Sequence, residues 1–111
     1  MYDNENIFAK ILRNQIPCDI VYEDEHSLFF NDIHPQAKIH VLGIPKDPCI
    51  DFSDFIINYD ENKISNFFKS IDLVITKLKI RDKGYRLITN SGINGGQEVP
   101  HFHIHILAGE K

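Results

Sequence analysis

Residues 101–107 read His-Phe-His-Ile-His-Ile-Leu, histidine alternating with large apolar side chains. Successive side chains of a β-strand point to opposite faces. The pattern therefore predicts a strand, His101 to Leu107, that buries Phe102, Ile104 and Ile106 and lines one open face with His101, His103 and His105. A chain carrying such a strand must build a sheet around it, and the remaining sequence supplies the other strands. Ile20 to Tyr22 and Ser27 to Asn31 read as two of them, with Glu23-Asp24-Glu25-His26 as the hairpin turn. Lys38 to Pro45 reads as a third, stopped by Pro45 and Pro48, and Tyr85 to Asn90 as a fourth. Asn6 can cap a short helix from Ile7 to Asn14, with Ile7, Phe8, Ile11 and Leu12 on one side, ended by Pro17. Asp60-Glu61 opens a long amphipathic helix carrying Ile64, Phe67, Phe68, Ile71, Val74, Ile75 and Leu78, with Gly84 as its C-terminal cap. Strands joined by hairpins, with few helices, predict an α+β fold on an antiparallel sheet of about five strands.

The length of 111 residues supports one domain, 1–111, and neither repeats nor a linker divide it. Hydrophobic residues at 42% and charged residues at 25% are globular values, which excludes a disordered chain. A formal charge of −4 removes the simplest electrostatic case for a nucleic-acid partner. No apolar run approaches the ~20 residues of a membrane span, and Met1-Tyr2-Asp3-Asn4-Glu5 lacks the basic start of a secretory signal. Cys18 and Cys49 are too few for a disulfide scaffold or a four-thiolate zinc site, so a reducing cytoplasm is the expected location.

Three chemistries compete for the histidine strand. A three-histidine metal site would have to bridge His101 and His105, roughly 13 Å apart along an extended strand, which zinc–nitrogen bonds do not span. A His103/His105 pair with His40 or Glu98 remains a metal alternative. A solvated polar face is the bland alternative, for which imidazole is a poor choice. Nucleophilic catalysis is the third: a neutral ring nitrogen attacks phosphorus, and a neighbouring imidazole handles the leaving group's proton. It needs donors aimed at phosphate oxygens, and the preceding Ser91-Gly-Ile-Asn-Gly-Gly-Gln97 can turn backbone N–H groups toward an anion. Alone, such a loop is just as well a hairpin turn.

At these residues the chain resembles the histidine-triad family, whose signature is His-φ-His-φ-His-φ-φ with φ apolar. The resemblance extends through Ile7-Phe8-Ala9-Lys10-Ile11, Tyr22-Glu23-Asp24-Glu25, Asn31-Asp32-Ile33, Pro35-Gln36-Ala37, His40, Ile44-Pro45-Lys46, Gly84-Tyr85-Arg86, Asn90 and Gly95-Gly96-Gln97. It points to the branch of histidine-triad nucleotide-binding proteins. That resemblance implies a five-stranded antiparallel sheet with one short and one long helix, and a homodimer joined across a two-fold axis. By position it implies His103 as the nucleophile, His105 on the phosphate and the departing group, and His101 setting the tautomer and orientation of His103. His40 would be their buried partner, and Asn90, Gly96, Gln97 and Glu98 would hold the phosphate. Asp32 would take the ribose hydroxyls, though an Asx turn before Pro35 explains an aspartate there equally well. Ile7, Phe8, Ile11, Phe30, Ile33 and Leu42 would wall the base, though the same pattern describes plain core.

Three positions depart from the family pattern. Glu98 replaces a hydroxyl donor, so its side chain is expected to turn away and leave its backbone N–H to act. Pro48 replaces a histidine, and the chain stops at Lys111, four residues beyond Leu107, without the extension seen in some relatives. His26 and His34 are expected at the surface, and no Cys-x-x-Cys suggests a structural zinc. The reading that results is a hydrolase of nucleoside monophosphates joined to an amine or another leaving group, with no metal or other cofactor. A dinucleoside-polyphosphate hydrolase and a nucleotide-binding or scaffolding module with incidental catalysis are its alternatives.

Overall fold

The computed structural model describes residues 1–111. Five strands, β1 (Ile20–Glu23), β2 (Ser27–Asn31), β3 (Ile39–Pro45), β4 (Tyr85–Ile88) and β5 (Ile104–Ala108), form one antiparallel sheet in the order β1-β2-β3-β5-β4. Helices α1 (Ile7–Leu12), α2 (Phe52–Asn58) and α3 (Glu61–Leu78) cover it. No helix is long and apolar enough to cross a membrane.

The sheet is covered on both faces, and strand alternation decides which side chain goes where. Phe29, Val41, Ile104 and Ile106 point to one face, where Phe55 from α2 and Phe67, Ile71, Val74 and Ile75 from α3 complete a core of 13 buried residues. Leu28, Phe30, Leu42 and Ile44 point to the other face and meet Phe8 and Ile11 of α1 in a smaller cluster of six. Gly43 lies between these, on the α3 side. A Cβ there would overlap the Phe29 ring, so the close approach of ring to strand requires glycine. Phe102 is 1% exposed and stacks on Phe55 with ring centroids 5.2 Å apart. Burial of one such ring stabilises the fold by about 3–5 kcal/mol against truncation to alanine.

Several expected boundaries move. The α1 helix stops at Leu12 rather than Asn14, because Asn14 takes a left-handed conformation (φ 62°) well before Pro17 acts. The α3 helix is capped by Lys79 in the left-handed region (φ 59°), not by Gly84, which instead turns the chain into β4 at φ 101°. The α2 helix was not expected at all. Its signal is Asp51-x-x-Asp54 ahead of Phe55-Ile-Ile: the Asp51 carboxylate accepts from Asp54 N–H at 2.8 Å, and Asp54 accepts from Ile50 N–H at 2.7 Å. Phe68, expected on the apolar face of α3, is 39% exposed.

The largest correction concerns the histidine strand. Ladder pairing begins at Ile104, and His101-Phe102-His103 is an irregular segment leading into it. Alternation persists, with Phe102, Ile104 and Ile106 in the core. The imidazoles, however, do not line an open face: His101 is 0% and His103 6% exposed, and only His105 is half-buried.

Candidate active site

The α1 face of the sheet is not filled by its small apolar cluster. A cleft of about 660 Å³ opens beside it, between α1, the ends of β2 and β3, the glycine loop and β5. That volume lies inside the range for small-molecule sites. Ile7, Phe8, Ile11, Phe30, Ile33, Leu42, Asp32, His40, Asn90, Gly96, Glu98, His103 and His105 all line it, so most residues singled out from sequence meet in one place. No lysine or arginine lines it. Ile33 is 81% exposed and Ile7 43%, which places them at the rim, while Phe8, Ile11, Phe30 and Leu42 form the floor.

Hydrogen-bond partners assign the proton on each ring. His103 Nδ1 lies 2.7 Å from the carbonyl oxygen of His101. A carbonyl only accepts, so Nδ1 carries the proton and Nε2 keeps its lone pair. No buried side-chain nitrogen lacks a partner, and Nε2 of His103 has none, so it reaches the cleft. The Phe8 ring packs against this imidazole edge to face at 4.9 Å.

His40 and His105 carry the complementary arrangement. The backbone N–H of Gln36 donates to His40 Nδ1 at 3.0 Å, which forces the His40 proton onto Nε2. That nitrogen lies 2.9 Å from His105 Nδ1 and 3.4 Å from an Asp32 carboxylate oxygen. His105 Nδ1 is thus an acceptor, and its proton sits on Nε2, which likewise lacks a partner in the chain. The cleft receives a lone pair from His103 and an N–H from His105, on rings whose centroids are 5.1 Å apart.

His101 does not face the cleft. Its Nε2–H donates to the carbonyl of Pro45 at 2.9 Å, and the Tyr2 hydroxyl lies 2.6 Å from its Nδ1. Its link to His103 therefore runs through its backbone carbonyl rather than through its ring. Burial pushes the His101 imidazole down to about 4, assisted by neighbouring His103 and opposed by the Pro45 carbonyl. Burial also lowers His105 to about 4, with the positive charges that His103 and His40 would carry adding to it. His103 is lowered by the same burial, with the His101 carbonyl, Asp32 and Glu98 pulling the other way. All three are neutral bases or donors near neutral pH.

The phosphate-binding expectations divide. Gly96 and Asn90 line the cleft, and the Asn90 amide holds the loop by donating to Gly95 O at 2.8 Å. Gln97 does not line it: its side-chain amide donates to Ile50 O and Val99 O and accepts from Gly92 N–H, so it braces the loop. The backbone N–H groups of Gly96 and Gln97 are likewise used within the loop, on Ile93 O and Gly92 O, whereas that of Glu98 has no partner. Glu98 is exposed at the edge of the cleft, and its charge opposes the lowering of His103. Asp32 makes the Asx turn and also lines the cleft. One oxygen accepts from His34 N–H at 2.8 Å, the Asx turn, and the other faces His40. His34 is exposed, while His26 is half-buried beside Asn66 rather than at the surface.

The metal alternative takes a different form from the one expected. His105 and His40 approach each other with Asp32, not with Glu98 or His103, and the three offer ligand atoms within 4.8 Å of one another. A metal-bound histidine donates its other ring N–H to an acceptor. His40 Nδ1 faces the Gln36 amide, a donor, so the set does not fit a metal ion. Two contributors, Gln36 through its backbone N–H and Tyr2, have no residue pattern that announces these contacts, which only folding makes with His40 and His101.

Known proteins resemble this chain in both sequence and fold. The model of the HIT domain matches residues 13–111. A HIT-like protein of Rickettsia prowazekii is 44% identical over 111 residues, spanning 100% of this chain and 92% of its own. The purine nucleoside phosphoramidase of Escherichia coli is 40% identical over 105 residues, 95% of this chain and 87% of its own. The solved structure of a histidine triad protein from Clostridium difficile superposes with a TM-score of 0.89 at 39% identity, covering 100% of this chain and 96% of that one. The fold, His40, His103 and His105 around one cleft, and these likenesses converge: the chain belongs to the HIT-domain family.

Proposed function

We propose that the chain is a hydrolase that releases nucleoside monophosphates from an amine or similar leaving group. The observation that carries this reading is the pair of complementary tautomers, a lone pair on His103 Nε2 beside an N–H on His105 Nε2. His103 Nε2 attacks the α-phosphorus, and the bond from phosphorus to the leaving nitrogen breaks. His105 donates its hydrogen bond to the phosphoryl group and the departing nitrogen, which takes a proton from solvent. Water then attacks the nucleotidyl-histidine, loses its proton to solvent, and frees the monophosphate. In this reading Asn90 and the unpartnered N–H of Glu98 take the phosphoryl oxygens with Gly96 beside them, Asp32 takes the ribose hydroxyls, and Phe8, Ile11, Phe30 and Leu42 take the base. Their shared lining of the cleft supports it. The name of the Escherichia coli relative supports the phosphoramidate class. The lack of lysine or arginine in the cleft favours a singly charged phosphoryl centre over a polyphosphate chain. The same reading includes a homodimer, for which the exposed Tyr85 and Leu87 on edge strand β4 offer an apolar surface.

Replacing His103 by Ala is expected to abolish turnover of an adenosine phosphoramidate while adenosine monophosphate still binds. Undiminished turnover by His103→Ala would refute the assignment.

A further inference from the structure

The N-terminal segment reaches the active site from behind. The Asp3 carbonyl accepts from Asn6 N–H at 3.2 Å and from the Asn6 side-chain amide at 2.8 Å, and the Asp3 carboxylate accepts from Glu5 N–H at 2.9 Å. Asn6, only 5% exposed, also caps α1 by accepting from Ala9 N–H at 2.9 Å. This locked turn lays Tyr2 across His101, ring to ring at 5.6 Å, with its hydroxyl 2.6 Å from Nδ1. Since the Pro45 carbonyl takes the proton of His101 Nε2, Nδ1 is a lone pair and the phenol is the donor. His101 is thereby held at both ring nitrogens, and its carbonyl receives His103 Nδ1–H at 2.7 Å.

We propose that Tyr2 is a positioning residue of the active site: by donating to His101 Nδ1 it holds that residue where its carbonyl keeps His103 in the attacking tautomer. The inference rests on the reading of His103 as nucleophile. Without the phenol, the buried Nδ1 lone pair has no partner, and an unsatisfied buried group drives rearrangement. The His101 ring turns or admits water, its carbonyl shifts, and His103 begins to populate the form with its proton on Nε2, which cannot attack.

The test is Tyr2→Phe, which keeps the ring and removes only the hydroxyl. Single-turnover formation of the nucleotidyl-histidine is expected to slow about tenfold, the scale of one lost buried hydrogen bond. Affinity for adenosine monophosphate should stay at the wild-type value, while the denaturation midpoint falls because the buried His101 Nδ1 loses its partner. Nitrogen-15 spectra of labelled histidine should show His103 moving from a single tautomer to a mixture. Unchanged His101 and His103 spectra overturn the proposal, as does a rate loss matched by an equal loss of affinity for adenosine monophosphate. Should wild-type protein fail to turn over phosphoramidates, the nucleophile assignment falls, and the tautomer spectra still decide what Tyr2 does.

Discussion

His101 is fully buried with an imidazole held near 4, against 6.5 for a free side chain. That difference makes the fold acid-sensitive in a defined window. Above 6.5 the ring is neutral in both the folded and unfolded chain and contributes no pH dependence. Below 6.5 the unfolded chain takes up a proton that the folded chain refuses until about 4, so stability falls with pH. Each pH unit across the window costs up to about 1.4 kcal/mol, which sums to about 3 kcal/mol below pH 4 and about 2 kcal/mol at about pH 5. His105 adds to the same trend, with a contribution reduced by its exposure to solvent. The assay is urea unfolding at fixed protein concentration at about pH 7.5 and about pH 5, comparing wild type with His101→Gln. Glutamine keeps a donor for Pro45 O and does not titrate. Carboxylates contribute alike to both proteins, so the difference isolates His101. With an m-value of roughly 2 kcal/mol/M, the wild-type midpoint should fall by about 1 M more than that of the variant between the two pH values. Equal shifts in both proteins would show that His101 is not held neutral by burial, and the reasoning would fail.

Two further outcomes are expected. Because burial lowers His103 from its ordinary value, kcat/KM should hold level as pH falls through 6.5 and decline only below it; a midpoint at or above 6.5 contradicts the assigned environment. His40→Leu strands the Gln36 N–H and the His105 Nδ1 lone pair, so it should cost about 1–3 kcal/mol in urea unfolding and slow turnover about tenfold or more. Wild-type turnover by this variant would remove His40 from the arrangement.

Much of this architecture was legible in the chain because it rests on local period. The two-residue alternation of 102, 104 and 106 and the helical spacing of 64, 67, 71, 74, 75 and 78 each commit a face before any tertiary contact is known. The burial of His101 and His103 was not legible, since alternation tells which face a residue takes but not what covers that face. Here Phe8 and Tyr2, from the far end of the chain, do the covering. Helix α2 went unread because its apolar run is short, leaving only the Asp51 and Asp54 caps to announce it. Gln97 shows the opposite difficulty. A polar residue in a glycine loop looks free for ligand, yet its amide is consumed by three backbone groups of its own loop and of the segment before α2.

Asp32 and Glu98 line the cleft beside His103 and His105, whose imidazoles burial keeps neutral, and no lysine or arginine joins them. A phosphoramidate monoester brings one negative charge, whereas the monophosphate set free by water approaches two near neutral pH. In the proposed reaction, hydrolysis would therefore turn a tolerated guest into a repelled one, and the added charge would favour product departure. Capture of substrate draws on no long-range attraction, so added salt should leave kcat/KM nearly level while tightening the retention of monophosphate. A steep loss of kcat/KM with salt would place the recruiting charge elsewhere on the molecule.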